Sequence, residues 1–194
     1  MKIVKTYNQV VNESDNHHLL TQDQIDWILE HSYFTNFVVT DDGQIAYPRY
    51  NNLIYLSGNF KSIPVKFADC KVFSISDNSE LEDLEGCPDH VETSFKLEQC
   101  PSLKSLKGAP KTAGSVLLDN VGVGNLIGIP KGVKDFYLVT NCEHLESIEG
   151  IPYDFNPDKI FVSNNYESWD KLKEDFARGY SNKDLEDFKQ DWEI

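Results

Sequence analysis

The sequence predicts a repeat solenoid, in which short β-strands stack in parallel to form a single sheet. Three observations predict it: one motif is repeated four times between Phe73 and Pro152, successive copies begin 20 to 22 residues apart, and every copy ends in Gly-x-Pro. A unit of this length cannot bury its apolar side chains alone, so successive units must stack and share a core.

Each copy places an Asn or Cys three residues after an apolar strand residue. The copies are aligned as Phe73–Pro88, Phe95–Pro110, Ser115–Pro130 and Tyr137–Pro152. Small polar side chains stacked in a column can hydrogen-bond the backbone of neighbouring turns, which would otherwise be buried without partners. The predicted ladder consists of Asn59, Asn78, Cys100, Asn120, Cys142 and Asn165.

In its central part this pattern resembles the leucine-rich repeat, L-x-x-L-x-L-x-x-N/C-x-L, although the next apolar residue follows the Asn or Cys by three positions instead of two. The resemblance implies a single curved parallel sheet whose concave face carries the residues between the buried ones. Weaker copies at Phe37–Pro48 and Ile54–Pro64, and a last strand at Ile160–Asn165, bring the expected number of parallel strands to about seven.

Helices are expected at both ends of the solenoid. Thr21 and Gln24 form a capping box, and the apolar spacing that follows predicts a helix to about Ser32. Ser168 and Ser181 can each cap a C-terminal helix. The chain is therefore interpreted as one structural domain: an arm and capping helix at 1–36, the solenoid at 37–165 and a C-terminal helical cap at 166–194.

The net charge of −14 excludes ordinary binding of nucleic-acid phosphates by a basic face. No stretch of the sequence reaches the roughly 18 consecutive apolar residues of a membrane span, and the first residues lack the apolar core of a secretory signal, so a cytoplasmic location is expected. An acidic cluster forms either a solvated edge or a contact for a basic partner; it comprises Asp77, Glu80, Glu82, Asp83 and Glu85.

The residues that usually carry chemistry are not arranged for it. Cys100 and Cys142 should lie two strand spacings apart, roughly 10 Å, which is too far for a disulfide. The sequence has no Cys-x-x-Cys pair, nucleophile elbow, phosphate-binding glycine loop or metal-spaced cluster. We therefore expect no metal, no cofactor and no enzymatic activity.

The exposed strand residues supply the candidate binding site. Alternation along the strands places an apolar group on the concave face, and the expected partner-binding residues are Tyr55, Val116, Leu118, Phe136, Leu138 and Phe161. Two alternatives stay open: the C-terminal helices cover this face, or the strand register is shifted by one residue and these side chains form the core.

The first residues suggest a source. Lys5, Thr6, Tyr7 and Glu13 resemble the N-terminal segment of many tailed-bacteriophage proteins, some of which use it as a cleaved packaging signal. The resemblance implies a phage-encoded protein. The favoured function is a non-enzymatic module that binds a bacterial host protein, such as a defence factor, and modulates or inhibits it in the host cytoplasm. A monomer is expected, and a homo-oligomer stays open. The alternative is a packaged or structural component of the virion.

Overall fold

The computed structural model describes residues 20–152, 156 and 159–162. Within them, six strands form one sheet in sequence order, and every neighbouring pair is parallel. The strands are β3 (Leu53–Ser57), β4 (Cys70–Ser76), β5 (His90–Cys100), β6 (Thr112–Val121), β7 (Tyr137–Thr140) and β8 (Ile160–Val162). The predicted solenoid of stacked parallel strands is confirmed.

Among the described residues the sheet has six parallel strands, where about seven were expected. The segment predicted as the first parallel strand, Phe37–Pro48, instead contains an antiparallel pair, β1 (Val38–Val39) and β2 (Ile45–Ala46). A tight turn reverses the chain between them: Gly43 takes a left-handed φ of 80°, and its N–H donates to Thr40 O at 2.9 Å. A chain that reverses in so few residues pairs with itself. Ile45 also forms an isolated parallel bridge with Phe67, but this segment is not a strand of the six-stranded sheet.

The N-terminal helix α1 (Gln22–His31) has the predicted capping box. Thr21 Oγ1 accepts from the Gln24 N–H at 3.2 Å, while the Thr21 N–H donates to Gln24 Oε1 at 3.0 Å. Ile25 and Ile28 are buried, and the ring of Trp27 lies 5.0 Å from that of Phe60. The helix therefore covers the first turn of the solenoid, as expected. The two predicted C-terminal helices lie outside the described residues.

Two columns of inward side chains form the core of the sheet. One column runs through Phe73, Phe95, Val116, Tyr137 and Ile160, which are paired in register and all buried. The second lies two residues further along each strand and consists of Leu56, Ile75, Leu97, Leu118 and Val139. Each unit thus buries its apolar residues against the next one.

This register corrects the third repeat. Val116 pairs with Phe95, and Leu118 pairs with Leu97, so both point inward and are fully buried. Aligning on Gly-x-Pro shifted this copy by one residue, because Gly128 follows the inward residue Val121 by seven positions whereas Gly108 follows Cys100 by eight. A shift of one residue moves a side chain to the other face of a sheet. The prediction that Val116 and Leu118 bind a partner is therefore wrong.

The predicted ladder is corrected in the same way. Val121 occupies the inward position, and Asn120 is half-buried and donates from Nδ2 to Gln99 Oε1 at 2.7 Å. Asn59 is exposed, and Asn165 lies outside the described residues. The buried members are Asn78, Cys100 and Cys142.

Asn78 is the polar centre of that column. Its Nδ2 donates to Phe60 O at 3.0 Å, and its Oδ1 accepts from the N–H groups of Phe60 at 3.4 Å and Glu80 at 3.0 Å. The side chain therefore satisfies the backbone of the preceding turn and of its own turn, which is the role that the ladder was expected to play.

Replacing Asn78 by Ala should lower the free energy of unfolding by about 3 kcal/mol, because the Phe60 and Glu80 backbone groups lose their partner inside the core. Asn120→Gly is the matched control, since Gly keeps the left-handed backbone and only an exposed hydrogen bond is lost; we expect less than about 1 kcal/mol. Urea denaturation measures both, and equal losses would contradict the assignment of the inward column.

The strand register is tested by a pair of adjacent substitutions. Leu118→Asp places a charge in the core and should prevent folding at room temperature, whereas Leu117→Asp changes an outward side chain and should shift the melting temperature by only a few degrees. Circular dichroism with thermal melting distinguishes the two variants. The opposite ranking would restore the register expected from the Gly-x-Pro alignment.

Candidate binding surface on the open sheet face

The outward side chains of the sheet form a surface that we call the open face. Two rows of paired residues cross it. The first row is Tyr55, Ser74, Lys96, Leu117, Leu138 and Phe161, and the second is Ser57, Ser76, Glu98, Asp119 and Thr140. The register therefore divides the open face into a polar half on β3–β5 and a half on β6–β8 where the first row is apolar.

Leu117, Phe136, Leu138 and Phe161 form a contiguous apolar patch on β6–β8. Phe161 is 53% exposed and Phe136 is 36% exposed, while Leu117 and Leu138 are half-buried. Phe136 lies two residues before Leu138, and its O accepts from the Val116 N–H at 3.0 Å, which places Phe136 beside β6. Neighbouring strands lie about 4.8 Å apart, so these side chains can contact one partner together.

The structure brings together three of the six residues predicted to bind a partner. Phe136, Leu138 and Phe161 lie in the apolar patch, and Leu117 replaces the two buried residues of the third repeat. Tyr55 shares the open face but lies on β3, at the other end of the sheet, where its ring is 6.1 Å from that of Phe34. Leu117 could have been identified by aligning the third repeat on its alternating strand residues instead of on Gly-x-Pro.

Acidic side chains lie beside the patch. Glu98 on β5 and Asp119 on β6 are paired neighbours in the second row. Asp119 lies two residues after Leu117 on the same strand. Asp119 Oδ1 accepts from Thr140 Oγ1 at 2.7 Å and from Asn141 Nδ2 at 2.6 Å, so its carboxylate is held in place. Residues 141–152, which follow β7, contain Glu143, Glu146 and Glu149 and no Lys or Arg. Glu98 and Asp119 give the apolar patch a negatively charged border.

The acidic cluster predicted from the sequence lies elsewhere. Its five residues follow β4, in the turn that connects β4 to β5, and none of them lies on the apolar patch. Two of them form ion pairs with exposed lysines: Glu82 with Lys61 at 3.0 Å and Glu85 with Lys107 at 3.9 Å. Exposed pairs of this kind contribute little to stability. The acidic cluster and the apolar patch are therefore separate surfaces.

Basic side chains lie near the starts of the strands, at the opposite end from the turns that carry these acidic residues. Lys66 and Lys111 each contact Asp89 at 2.7 Å, and hydrogen bonds from Lys111 and then Lys66 lower the pKa of Asp89 to about 2. Lys71, Lys131, Lys134 and Lys159 also lie before or at the start of strands. Lysines thus gather where strands begin, together with Asp69, Asp89 and Glu92, whereas the turns after β4 and β7 are rich in carboxylates.

The cysteines are buried and free. Burial raises the pKa of Cys70 and Cys100 to about 12, and it raises the pKa of Cys142 and, strongly, that of Cys87. The thiols therefore belong to the core.

In the part of the chain that the structure describes, no three His, Cys, Asp or Glu side chains are placed to hold a metal ion. No helix among the described residues is long and apolar enough to cross a membrane.

Comparison of the chain with family models, with curated proteins and with solved structures finds no match. The geometry of the open face and of the strand ends therefore carries the functional argument.

The four thiols should not react with Ellman's reagent in the native protein at about pH 8. Burial raises the pKa of each of these thiols, which keeps them protonated, and the core excludes the reagent. All four should react once the protein is unfolded in guanidinium chloride. Rapid stoichiometric reaction of even one cysteine in the native state would contradict its burial.

Proposed function

We propose that this protein is a non-enzymatic binding module that takes a protein partner on the apolar patch of its open face. The observation that carries the proposal is the registered alignment of Leu117, Leu138 and Phe161 on three neighbouring strands, with Phe136 at their side. Large apolar side chains grouped on a protein surface usually mark an interaction site, and aromatic anchors provide much of the binding energy.

The chemistry of the patch and its border defines the partner. An apolar or aromatic side chain of the partner fills the space between Leu117 and Phe161, while basic residues beside it contact the border of Glu98 and Asp119. The protein has a net charge of −14, which favours approach by a positively charged surface. Lys96 lies next to Leu117 in the first row, so the basic residues of the partner are expected towards β7 and the turn after it.

The parallel solenoid and its column of inward residues support the finer interpretation as a leucine-rich-repeat-like protein. Phage origin, the host cytoplasm as its location, and inhibition of a host defence factor rest on the resemblance of the N-terminal segment, which lies outside the described residues. The alternative role in the virion rests on the same segment. N-terminal sequencing separates them: particles containing a chain that begins at Ser14 support the virion role, and an intact Met1 in infected cytosol supports the host-binding role.

The partner surface is tested by site-specific photocrosslinking in a bacterial lysate. With p-benzoylphenylalanine in place of Phe161, irradiation should link the protein to a partner that mass spectrometry identifies. The same photoreactive residue in place of Tyr33, which is 79% exposed and lies away from the patch, should not form this link.

The identified partner is then purified and its affinity is measured by calorimetry. Leu117→Asp should weaken binding at least tenfold, because it places a charge within the apolar contact. Ser57→Asp changes an exposed residue on the polar half of the open face and should leave the affinity unchanged. Equal affinities for the wild type and Leu117→Asp would refute the apolar patch as the binding site.

A further inference from the structure

A cleft of about 350 Å³ opens where strands β4, β5 and β6 begin. Residues from successive turns line it, among them Asn52, Lys71, His90, Glu92 and Lys134. None of the residues of the apolar patch lines this cleft. Its volume lies at the lower end of the range for small-molecule sites. The cleft is thus a second candidate site, independent of the surface assigned to a protein partner.

Asn52 forms part of one wall of the cleft. Its backbone is held firmly: the Asn52 N–H donates to Tyr47 O at 3.0 Å, and the Lys71 N–H donates to Asn52 O at 2.9 Å. Its side-chain Oδ1 is buried and closed off from solvent, and therefore also from a ligand in the cleft. Asn52 shapes the cleft and is not one of the groups that bind a ligand.

The cleft also presents charges of both signs that are free to bind a ligand. Lys71 and Lys134 form no ion pair with any described residue, in contrast to Lys66 and Lys111, which share Asp89. The carboxylate of Glu92 likewise has no cationic partner in the described part of the chain. A ligand carrying a carboxylate and an ammonium group would match both kinds of side chain.

The other polar groups of the cleft are engaged within the protein. Asp69 Oδ1 accepts from the His90 N–H at 3.0 Å, and His90 Nδ1 lies 2.9 Å from Thr112 Oγ1. These bonds link the starts of β4, β5 and β6 and so fix the walls of the cleft. The charged groups left for a ligand are therefore the ammonium groups of Lys71 and Lys134 and the carboxylate of Glu92.

We propose that this cleft binds a small zwitterion the size of an amino acid or dipeptide. Lys71 and Lys134 bind the carboxylate of the ligand, while the carboxylate of Glu92 accepts hydrogen bonds from its ammonium group. This site goes beyond the proposed function, since it lies at the strand starts and uses none of the residues of the open face that contact the protein partner.

The proposal is tested by titrating isotope-labelled protein with L-glutamine and glycylglycine while recording amide NMR spectra. Acetate and methylammonium serve as probes that carry only one of the two charges. At least one zwitterion should cause saturable shifts of the amides of Lys71, Val91 and Gly114, and each single-charge probe should bind at least tenfold more weakly. Absence of saturable shifts with both zwitterions, or equally tight binding of acetate, overturns the proposal.

Two substitutions identify the contacts. Glu92→Gln removes the negative charge while keeping the shape of the side chain, and Lys134→Met removes a positive charge while keeping most of the side-chain length. Each should weaken zwitterion binding at least tenfold. Lys131→Met is the matched control, because Lys131 is exposed and does not line the cleft, and its affinity should equal that of the wild type. Equal affinity of all three variants would exclude the cleft as the binding site.

Discussion

The structure depends on a backbone constraint at the end of each strand. In successive turns a residue in the left-handed conformation lies within one residue of the end of the strand: Gly58, Asp77, Gln99, Asn120 and Asn141, with φ values of 51° to 57° at the four non-glycine positions. This conformation costs a non-glycine residue roughly 1–2 kcal/mol. Hydrogen bonds to the next turn offset part of that cost, as where the Asp77 N–H donates to Glu98 O at 3.1 Å. From β4 to β7 the residue after it is turned inward and buried.

A second constraint acts at the far side of each turn and explains the Gly-x-Pro signature. Gly128 and Gly150 have left-handed φ values, and a Cβ on either would lie 2.8 Å or 2.1 Å from the Leu106 or Leu126 carbonyl oxygen of the preceding turn. These positions therefore require glycine, because successive turns stack closely there. The left-handed residue positions the strand, and the close approach of the preceding turn positions the glycine. The number of residues between these two positions can therefore differ from one repeat to another without disturbing either of them.

Because these two positions are independent of each other, the sequence predicted the inward side chains correctly in some repeats and not in others. Repeats two and four follow the common spacing, so the inward positions of Leu97 and Val139 follow from the sequence alone. The third repeat is one residue shorter between its left-handed residue, Asn120, and its glycine, Gly128. The sequence does not mark this change, because Asp119 and Asn120 are both residue types that suit a turn. Alignment on the glycine consequently exchanged the two faces of β6. The candidate site was predicted in part for the same reason, since Leu138 and Phe161 lie on the open face whereas Val116 and Leu118 are buried.

The same constraint links the fold to the proposed surface. Because the left-handed residue sets which side chains face inward, it also places Leu117 and Leu138 side by side on the open face and Asp119 beside them. Asp119 receives both of its hydrogen bonds on Oδ1, from side chains of β7 and of the residue that follows it. The solenoid therefore orients this carboxylate before any partner arrives, and its negative charge remains at the border of the apolar patch. A partner that buries an apolar side chain there must bring a positive charge next to it, because burying the border carboxylate without one is costly.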